Sequence, residues 1–519
     1  MRKPLHTKGS RTQIATSVFL PAPTRGWYVG ANVAEAPPGT AFALDNAFPQ
    51  LDYVRARRGS VSYATGMPAL KVGSLMVWTN GVTSKMFAAC GGAIYDVSVA
   101  GVVGASVYPG LFESAFEYIQ FSPTGGTTRL VVATQLGNII NYDGSIWSGD
   151  PVITGKSGKV EFLWNFKSRI FMNETGTLRA WYLGLAAIGG PAVLFDLGGI
   201  FRLGGSLIAG ATWAIDANSG IYESCVFITS EGEVAVYDGA YPGDPAWALK
   251  GVYKVSRPLG KRCLMKAGGD LAILTEDGIV PMSKVQTLDQ IALQNTAITL
   301  PIAPAWRNAV LARKGMTGWQ IVLWPLESMG IVNLPKTDQS DKTQFIVNAR
   351  TGAWARYLGW DAICFAVFNN NLYYGTSDGR VMQAEIGSSD NGLPYTWTMF
   401  PSFSDLGSQA TRKQIRMARP LFQSNYSVLP QITIKVDFDT DIPPYPSNVA
   451  ALSGPQWGTA VWGIDTWPYP LTTQTNWISA PGFGTVVSPV MQGTFNGSAD
   501  ADIRISAIEL LFENGNILG

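Results

Sequence analysis

The chain has 519 residues, of which 46 % are apolar and only 14 % are charged, against about 25 % charged residues in an ordinary soluble protein. This composition excludes general disorder, because the chain has much to bury and little charge to keep it solvated. The length allows two to four domains or one large repetitive fold. The 57 glycines and 17 tryptophans favour many short strands joined by tight turns, and not long surface helices rich in Glu, Lys and Arg.

The counts of histidine and cysteine exclude several kinds of site. The only histidine is His6, in a basic N-terminal stretch that we interpret as a solvated tail. We therefore expect no Ser-His-Asp or Cys-His nucleophile and no histidine-ligated zinc. The cysteines form no Cys-x-x-Cys pair, which argues against a metal site and a disulfide framework. We interpret them as buried free thiols of a protein that folds in a reducing compartment; they are Cys90, Cys225, Cys263 and Cys364.

The net charge is +1, but it is unevenly distributed. Residues 1–60 carry eight Lys/Arg and three Asp/Glu, and residues 421–519 carry two Lys/Arg and eight Asp/Glu. This polarity is either a means of packing the basic end of one copy on the acidic end of another, or chance variation along a long chain. The small net charge gives no global attraction to nucleic acid. No uninterrupted apolar run of membrane-spanning length and no cleavable leader is evident, so we expect no membrane span.

A strand–turn–strand unit recurs from about residue 73 onward. In its first copy, apolar residues 74–78 and 85–89 flank a turn at Asn80 and Gly81, a pair typical of hairpins. Clear copies return at intervals of about 40 to 50 residues, the length of one four-stranded propeller blade. Later copies begin at Arg129, Cys225, Leu271 and Ala362, and strands at 168–172 and 179–182 fill the longest interval. A short helical break is predicted between residues 288 and 312.

One such unit cannot bury both faces of its small sheet, whereas units stacked around an axis can. The sequence therefore predicts an all-β chain with a β-propeller of six or seven blades over residues 60–395. An N-terminal extended arm with a first strand precedes it over residues 1–59. A C-terminal antiparallel β-sandwich follows over residues 396–519, where strands are predicted at 431–439 and 504–512. The alternative is an array of β-sandwiches whose turn spacing is fortuitous.

Two charged groups are candidate contact residues. Arg55, Arg57 and Arg58 follow one another on a predicted strand and would meet phosphate or an acidic protein surface, or else protect an exposed strand edge. Asp437, Asp439 and Asp441 alternate along the predicted strand at 431–439. They lack the glycine and terminal glutamate of a calcium loop, so a solvated acidic face is favoured over a metal site.

No set of residues predicts an enzyme. The segment Asp143-Gly-Ser-Ile-Trp147 is similar to the Asp-box of propeller sialidases, but it occurs once, and the aspartate is expected to cap a turn. Carboxylates that could act in glycoside hydrolysis are present without an identifiable pair; they are Glu174, Asp196, Asp216 and Glu223. We predict no catalytic residue, no cofactor and no metal.

Several motifs occur in an order that resembles a known family. They include Leu-Asp-Asn at 44–46 and Val-Arg-Ala-Arg-Arg-Gly at 54–59, followed by the stretches at 227–237, 247–253 and 257–260. This order resembles the tail nozzle and packaged-DNA-stabilisation (tail hub) proteins of short-tailed bacteriophages, the podoviruses. The resemblance covers most of residues 20–390 and, more loosely, the C-terminal region.

The resemblance implies a non-enzymatic structural protein of the virion tail that is assembled in the host cytoplasm. It implies a homo-oligomeric ring, commonly a hexamer of about six copies, below the portal and adaptor proteins of the head-tail connector and in contact with tail fibre or tail tip proteins. The ring would extend the channel for packaged double-stranded DNA, retain the genome and allow its ejection. Arg55, Arg57 and Arg58 are then candidates for inter-subunit or adaptor contacts.

DNA should slide along such a channel without sequence-specific binding, which favours a weakly charged or acidic wall. Asp437, Asp439 and Asp441 are the candidate channel-facing residues. The alternative function is a carbohydrate-binding or depolymerising propeller on the virion surface, whose aromatic side chains would stack on sugars. A further alternative is a monomeric bacterial propeller scaffold unrelated to virions.

Overall fold

The computed structural model describes residues 15–30, 32–134, 139–217, 220–452 and 470–517. It confirms the all-β class, since strands make up nearly all the regular structure and the helices are few and short. The chain divides into two compact units, which we call unit 1 (Met1–Arg57 with Pro394–Gly519) and unit 2 (Arg58–Leu393). His6 and three of the C-terminal tryptophans (Trp457, Trp462 and Trp467) lie outside the described residues.

Unit 1 begins with four strands: β1 (Thr16–Pro21), β2 (Ala41–Asp45), β3 (Ala47–Pro49) and β4 (Val54–Ala56).

Unit 2 has its own strands and three helices. In chain order they are β5 (Ser60–Thr65), β6 (Val72–Thr79), β7 (Ser84–Cys90), β8 (Ala93–Asp96), β9 (Gly101–Val102), β10 (Glu117–Phe121), β11 (Arg129–Ala133), β12 (Ile139–Tyr142), β13 (Trp147–Ser148), β14 (Ile153–Thr154), β15 (Leu163–Phe166), β16 (Arg169–Asn173), β17 (Arg179–Tyr182), β18 (Gly190–Pro191), β19 (Val193–Asp196), β20 (Leu207–Ala217), β21 (Gly220–Thr229), β22 (Glu233–Asp238), β23 (Ala248–Lys254), β24 (Leu264–Ala267), β25 (Asp270–Thr275), β26 (Gly278–Pro281), α1 (Met282–Val285), α2 (Gln290–Gln294), α3 (Ala303–Ala312), β27 (Gln320–Trp324), β28 (Met329–Asn333), β29 (Thr343–Asn348), β30 (Trp354–Leu358), β31 (Cys364–Phe368), β32 (Asn371–Gly375) and β33 (Val381–Ala384).

Unit 1 resumes with β34 (Tyr395–Pro401), β35 (Thr411–Ser424), β36 (Gln431–Val436), β37 (Val449–Leu452), β38 (Thr472–Gln474), β39 (Ile478–Gly484), β40 (Val487–Gly497) and β41 (Ile503–Ile517). One sheet has the order β3-β4-β41-β35-β38, with β1 on β41 and β39 on β35. A second has the order β2-β34-β40-β36, with β37 parallel to β40. The sheets contact each other through β36 and β39.

From residue 15 onward, the N-terminal segment that the sequence predicts as an extended arm is paired with the C-terminal region. Its first strand pairs antiparallel with the last strand of the chain, from Thr16 opposite Phe512 to Pro21 opposite Ala507. The β-branched and aromatic residues of β1 suit such pairing, and β41 would otherwise present unpaired backbone groups along that side. The described part of the N-terminal region and the C-terminal region therefore belong to one unit.

Apart from the short parallel pair β14-β18, seven sheets follow one another along the described part of unit 2, which we number sheets 1 to 7. They are β6–β8, β10–β13, β15-β16-β17-β19, β20–β23, β24–β26, β27–β30 and β31-β32-β33-β5-β9. The predicted strand–turn–strand copies coincide with strands of these sheets: residues 129–133 are β11, for example, and residues 179–182 are β17. The helical break predicted at 288–312 is confirmed by α2 and α3.

Apolar side chains fill the space between consecutive sheets. Leu75 and Met86 of sheet 1 pack with Cys364 and Ala366 of sheet 7, and equivalent clusters join sheets 1 and 2, 2 and 3, 3 and 4, and 4 and 5. The first strands of the sheets also contact one another in succession, β6 with β10, β10 with β15 and β15 with β20. Further along the chain, β24 contacts β27 and β27 contacts β31. Strand β31 in turn contacts β6.

The start and the end of unit 2 belong to the same sheet. Strand β5 pairs antiparallel with β33, with Ser60 opposite Ala384 and Ala64 opposite Val381. The hydroxyl of Tyr374 donates a hydrogen bond to the Ser60 hydroxyl at 2.9 Å. Sheet 7 therefore cannot form until both ends of the unit have come together.

A substitution of Gly379, in the β32–β33 turn, tests how closely sheets 7 and 1 approach each other. Gly379 has φ +81°, and a Cβ there would overlap the carbonyl oxygen of Pro68. Gly379→Ala should lower the free energy of unfolding by about 3 kcal/mol, combining backbone strain with steric overlap. Gly176→Ala is the matched control, because Gly176 has φ +75° and open space around it, so it should cost about 1 kcal/mol. Equal costs in chemical denaturation would contradict the packing described here.

Candidate functional site at the centre of unit 2

Strands of unit 2 line two cavities. The smaller, about 150 Å³, lies among the starts of β6, β10, β27 and β31 and the residues that lead into β24. The larger, about 640 Å³, is lined by β10, β15, β20 and the start of β25. Phe162 and Leu264 line both, so these two side chains stand between the cavities.

The smaller cavity is bridged by one arginine. The Arg262 side chain is 13 % exposed and its Nε lies 2.5 Å from Oε1 of Glu117 on β10. Its other nitrogens donate to the carbonyl oxygens of Gly73 and Phe116 at 3.0 and 2.7 Å and to Oγ of Ser74 at 2.7 Å. Four of the donor positions of the guanidinium therefore have partners, contributed by sheets 1 and 2.

The neighbouring Lys261 adds a further hydrogen bond between the same segments. Nζ of Lys261 donates to the carbonyl oxygen of Ala115 at 2.9 Å. Burial lowers the pKa of Lys261, against the opposing attraction of Glu117. We call Arg262, Glu117, Ser74 and Lys261 the Arg262 cluster. Because its polar groups are used internally, its chemistry is that of a structural brace and not of an acid–base pair awaiting a substrate.

The larger cavity differs from the smaller one in the charged side chains that line it. Two lysines, Lys167 and Lys266, line it together with Glu223. Both lysine side chains are exposed. Over the described part of the chain, no carboxylate lies within ion-pair distance of either ammonium group. This cavity could accept a ligand, whereas the Arg262 cluster is already satisfied.

The arginines proposed as contact residues lie mostly inside the protein. Arg55 and Arg57 are buried, at 5 % and 1 % exposure, so neither presents its charge to a partner in this structure. Nε of Arg57 donates to Oδ1 of Asn46 at 2.8 Å, and its guanidinium lies 4.0 Å from the ring centroid of Tyr395. Arg58 is partly exposed at the start of unit 2. Sequence alternation could not reveal this, because the aromatic partner of Arg57 lies more than three hundred residues away in the chain.

The three aspartates do not share a strand face. Strand β36 ends at Val436, before the end predicted at 439, because Asp437 and Phe438 have left-handed φ values of 49° and 64°. Oδ1 of Asp437 accepts from the backbone N–H and hydroxyl of Thr485. Asp439 accepts from Lys435 at 2.7 Å and from the backbone N–H of Asp441. These residues form a hydrogen-bonded turn that is exposed to solvent.

These contacts lower the pKa of two carboxyl groups in the turn. Burial raises the pKa of Asp437, but the hydrogen bonds from Thr485 and Val486 outweigh it, so the net shift is downward. The hydrogen bond from Lys435 lowers the pKa of Asp439. Both carboxylates thus favour the charged form.

The other carboxylates that the sequence singled out have local roles. Asp143 accepts from the backbone N–H groups of Ser145 and Ile146, both at 2.8 Å, which confirms the turn-cap interpretation. Glu174 accepts from the indole of Trp181 at 3.0 Å, and Asp196 from the backbone N–H of Gly198.

Two more carboxylates were candidates for glycoside hydrolysis. Glu223 lines the larger cavity, whereas the side chain of Asp216 lies outside the described residues.

All four cysteines are buried free thiols, as the sequence predicted. Burial raises the pKa of Cys263 to about 12 and that of Cys364 to about 11, so both stay protonated at neutral pH. Within the described ranges, no group of three or more His, Cys, Asp or Glu side chains is placed to hold a metal ion. The helices of these ranges are too short or too polar to cross a bilayer.

Comparisons with known proteins give only distant likenesses. No family model matches the chain and no curated protein matches its sequence. Among solved structures, the computationally designed Ika8 protein is 10 % identical, with a TM-score of 0.37 over 63 % of this chain and 100 % of its own. The WD40 β-propeller domain of Doa1 is 12 % identical, with a TM-score of 0.37 over 61 % and 97 %. The extracellular domain of BT4673 from B. thetaiotaomicron is 10 % identical, with a TM-score of 0.39 over 66 % and 41 %.

If Arg262 braces the structure, its loss alone should lower the free energy of unfolding more than its loss together with Glu117. Arg262→Met should cost about 3 kcal/mol of unfolding free energy, since it leaves the Glu117 carboxylate without its partner. Combining it with Glu117→Leu should recover more than half of that loss, because neither member of the ion pair is then buried without the other. Arg380→Met, which breaks the exposed pair with Asp378, is the control and should cost less than about 1 kcal/mol. Similar costs for Arg262→Met and Arg380→Met in urea titrations would refute the bracing role.

The turn after β36 gives a pH-dependent prediction. Asp437→Ala should destabilise the protein by about 1 kcal/mol at neutral pH, through loss of hydrogen bonds to a charged group near the surface. Because the pKa of Asp437 is lowered in the folded state, the stability it contributes is lost as the pH falls below the ordinary carboxyl value. The difference from wild type should therefore shrink in thermal melts at acid pH. Asp441→Ala should have little effect at any pH, and a constant difference for Asp437→Ala would contradict this assignment.

Proposed function

We propose that this protein is a structural, non-enzymatic subunit of the tail of a short-tailed bacteriophage, which forms a nozzle ring that extends the DNA channel below the portal and adaptor. One observation carries the proposal. The two halves of the motif that resembles this family, Leu-Asp-Asn at 44–46 and Val-Arg-Ala-Arg-Arg-Gly at 54–59, are joined by the hydrogen bond between Arg57 and Asn46.

The motif forms one buried cluster in unit 1. Nδ2 of Asn46 donates to the carbonyl oxygen of Thr396 at 2.7 Å, and the hydroxyl of Tyr395 donates to the carbonyl oxygen of Arg57 at 2.6 Å. The cluster thus binds the segment that leaves unit 1 at residue 57 to the segment that returns at residue 394. This contact gives a physical reason for the spacing of the motif and in that way supports the proposal.

The proposal includes the architecture of each unit. Unit 2 is taken to be a seven-bladed β-propeller, with β5 completing the last blade, and unit 1 a β-sandwich. The successive contacts between first strands, which lead from β31 back to β6, support the propeller. The pairing of β5 with β33 supports a blade made from both ends of the unit. The contact between β36 and β39 supports the sandwich.

In this proposal, the DNA channel lies between copies of the chain and not through the centre of unit 2. The cavities there measure about 150 and 640 Å³ and the Arg262 cluster bridges the smaller one. A DNA duplex, whose major groove alone is about 12 Å wide, does not fit. The channel therefore requires an oligomer, and its copies must supply the wall.

Exposed apolar side chains supply a candidate contact between copies. Val99, Val102 and Phe112 lie in one segment around β9 and are 80, 83 and 87 % exposed. Exposed apolar groups of this size in close succession are typical of surfaces that become covered in an assembly.

The mass of the native particle tests the assembly. By mass photometry, the purified chain should form a ring of about six copies, alone or on addition of the portal–adaptor complex. Val102→Ser with Phe112→Ser should reduce ring formation at least about tenfold, because each exchanged apolar group weakens the contact. Leu326→Ser, at another exposed position (66 %), should assemble normally. A chain that stays monomeric with and without the adaptor would overturn the proposal.

The acidic turn gives a test of the channel wall. Asp439→Lys with Asp441→Lys should slow genome ejection from assembled virions, since cations facing the lumen would bind the passing phosphates. Asp437 is left intact because it holds the turn. Asp52→Lys reverses the charge of an exposed acid elsewhere in unit 1 and is the control. Equal ejection kinetics for the two variants would remove these aspartates from the channel wall.

A further inference from the structure

We infer that the larger cavity of unit 2 is a binding site for a carboxylated sugar, such as a uronic acid. We call it the lysine cavity, after Lys167 and Lys266, which line it. Its volume of about 640 Å³ falls within the range of small-molecule sites, about 300 to 1,000 Å³. The inference does not depend on the proposed tail function.

The two lysines favour an anion. Over the described residues, neither ammonium group has a carboxylate within 4 Å, so an anionic ligand would not have to displace an internal ion pair. Two cations that line one cavity repel each other, and an anion bound between them would offset that repulsion. A carboxylate bound there would gain charge-assisted hydrogen bonds from both.

The backbone also holds one lysine in a costly conformation. Lys167 and Ser168, in the turn between β15 and β16, have φ values of 42° and 56°, although this left-handed region favours glycine. The ammonium of Lys167 lies 5.5 Å from the ring centroid of Phe166. A turn with asparagine and glycine would be more stable here, so the sequence keeps a lysine at this cavity at the expense of stability.

The remaining walls argue against a simple inorganic anion and for a hydroxylated one. Glu223 lines the same cavity, and its carboxylate repels any anion but accepts hydrogen bonds from hydroxyl groups, which a sugar acid has and sulfate lacks. Oε1 of Gln120 accepts from the backbone N–H of Thr79 at 2.8 Å, which leaves its amide nitrogen as a donor. Acceptors, donors and cations that line one cavity match a molecule with several hydroxyls and one carboxylate.

The base of the cavity suits the apolar face of a sugar ring. Phe162, Leu264 and Leu271 line it, and Phe162 and Leu264 separate it from the Arg262 cluster. Apolar contact on one side of a ring and hydrogen bonds at its edge are the usual pattern of small-molecule recognition. The Arg262 cluster fixes the position of β24, from which Lys266 projects.

Calorimetric titration of the full chain with sodium D-glucuronate tests the site, with D-glucose and sodium acetate as matched controls. We expect millimolar binding of glucuronate that weakens with added salt, and at least about tenfold weaker binding of both controls. Lys167→Gln with Lys266→Gln should weaken glucuronate binding at least about tenfold. Glu223→Gln should weaken glucuronate but leave acetate unchanged. Lys314→Gln, an exposed lysine outside the cavity, should bind as wild type.

Three outcomes would overturn the inference. They are no detectable binding at about 10 mM glucuronate, equal binding of glucuronate and acetate, and glucuronate binding that survives loss of both lysines. Circular dichroism of each variant distinguishes a lost site from a lost fold.

Discussion

The contacts of Arg262 are the interaction on which the centre of unit 2 depends. Strands that converge on a common centre bring backbone carbonyl groups into a region that water reaches poorly, and each unsatisfied group there is costly. One guanidinium satisfies the carbonyl oxygens of Gly73 and Phe116 and neutralises Glu117 at the same time. The apolar clusters between neighbouring sheets provide most of the burial, but their packing is not directional. The arginine adds the directional contacts that link sheets 1 and 2 to the residues leading into sheet 5.

A second constraint comes from the connectivity of the chain. Unit 2 is an insertion between two parts of unit 1, so the chain must leave and return at neighbouring points. The cluster of Asn46, Arg57 and Tyr395 holds these points together in unit 1. The pairing of β5 with β33 does the same in unit 2. Folding of each unit thus depends on contacts between residues far apart in sequence, which favours a slow and cooperative process.

The sequence predicted what local chemistry determines. Turns such as Asn80-Gly81 locate the strands that flank them, and the Asp143 cap follows from the side chain alone. Long-range contacts were not predictable from one sequence. The partner of Arg262 lies 145 residues earlier, and β1 pairs with the far end of the chain. Alternation placed Asp437 on a strand, whereas its hydrogen bonds to Thr485 favour a turn. The sequence predicts a cationic surface at Arg55 and Arg57, because no local signal reveals that these side chains are buried.

The central proposal is that this chain builds a ring in which DNA passes between subunits and not through unit 2. Electron cryomicroscopy of the chain bound to a portal–adaptor complex tests it most directly. The account predicts a ring of about six subunits around one open lumen, with density for the Arg262 side chain bridging the centre of each unit 2. A chain that binds the adaptor as a single copy, or a unit 2 with an open central passage, would contradict the account.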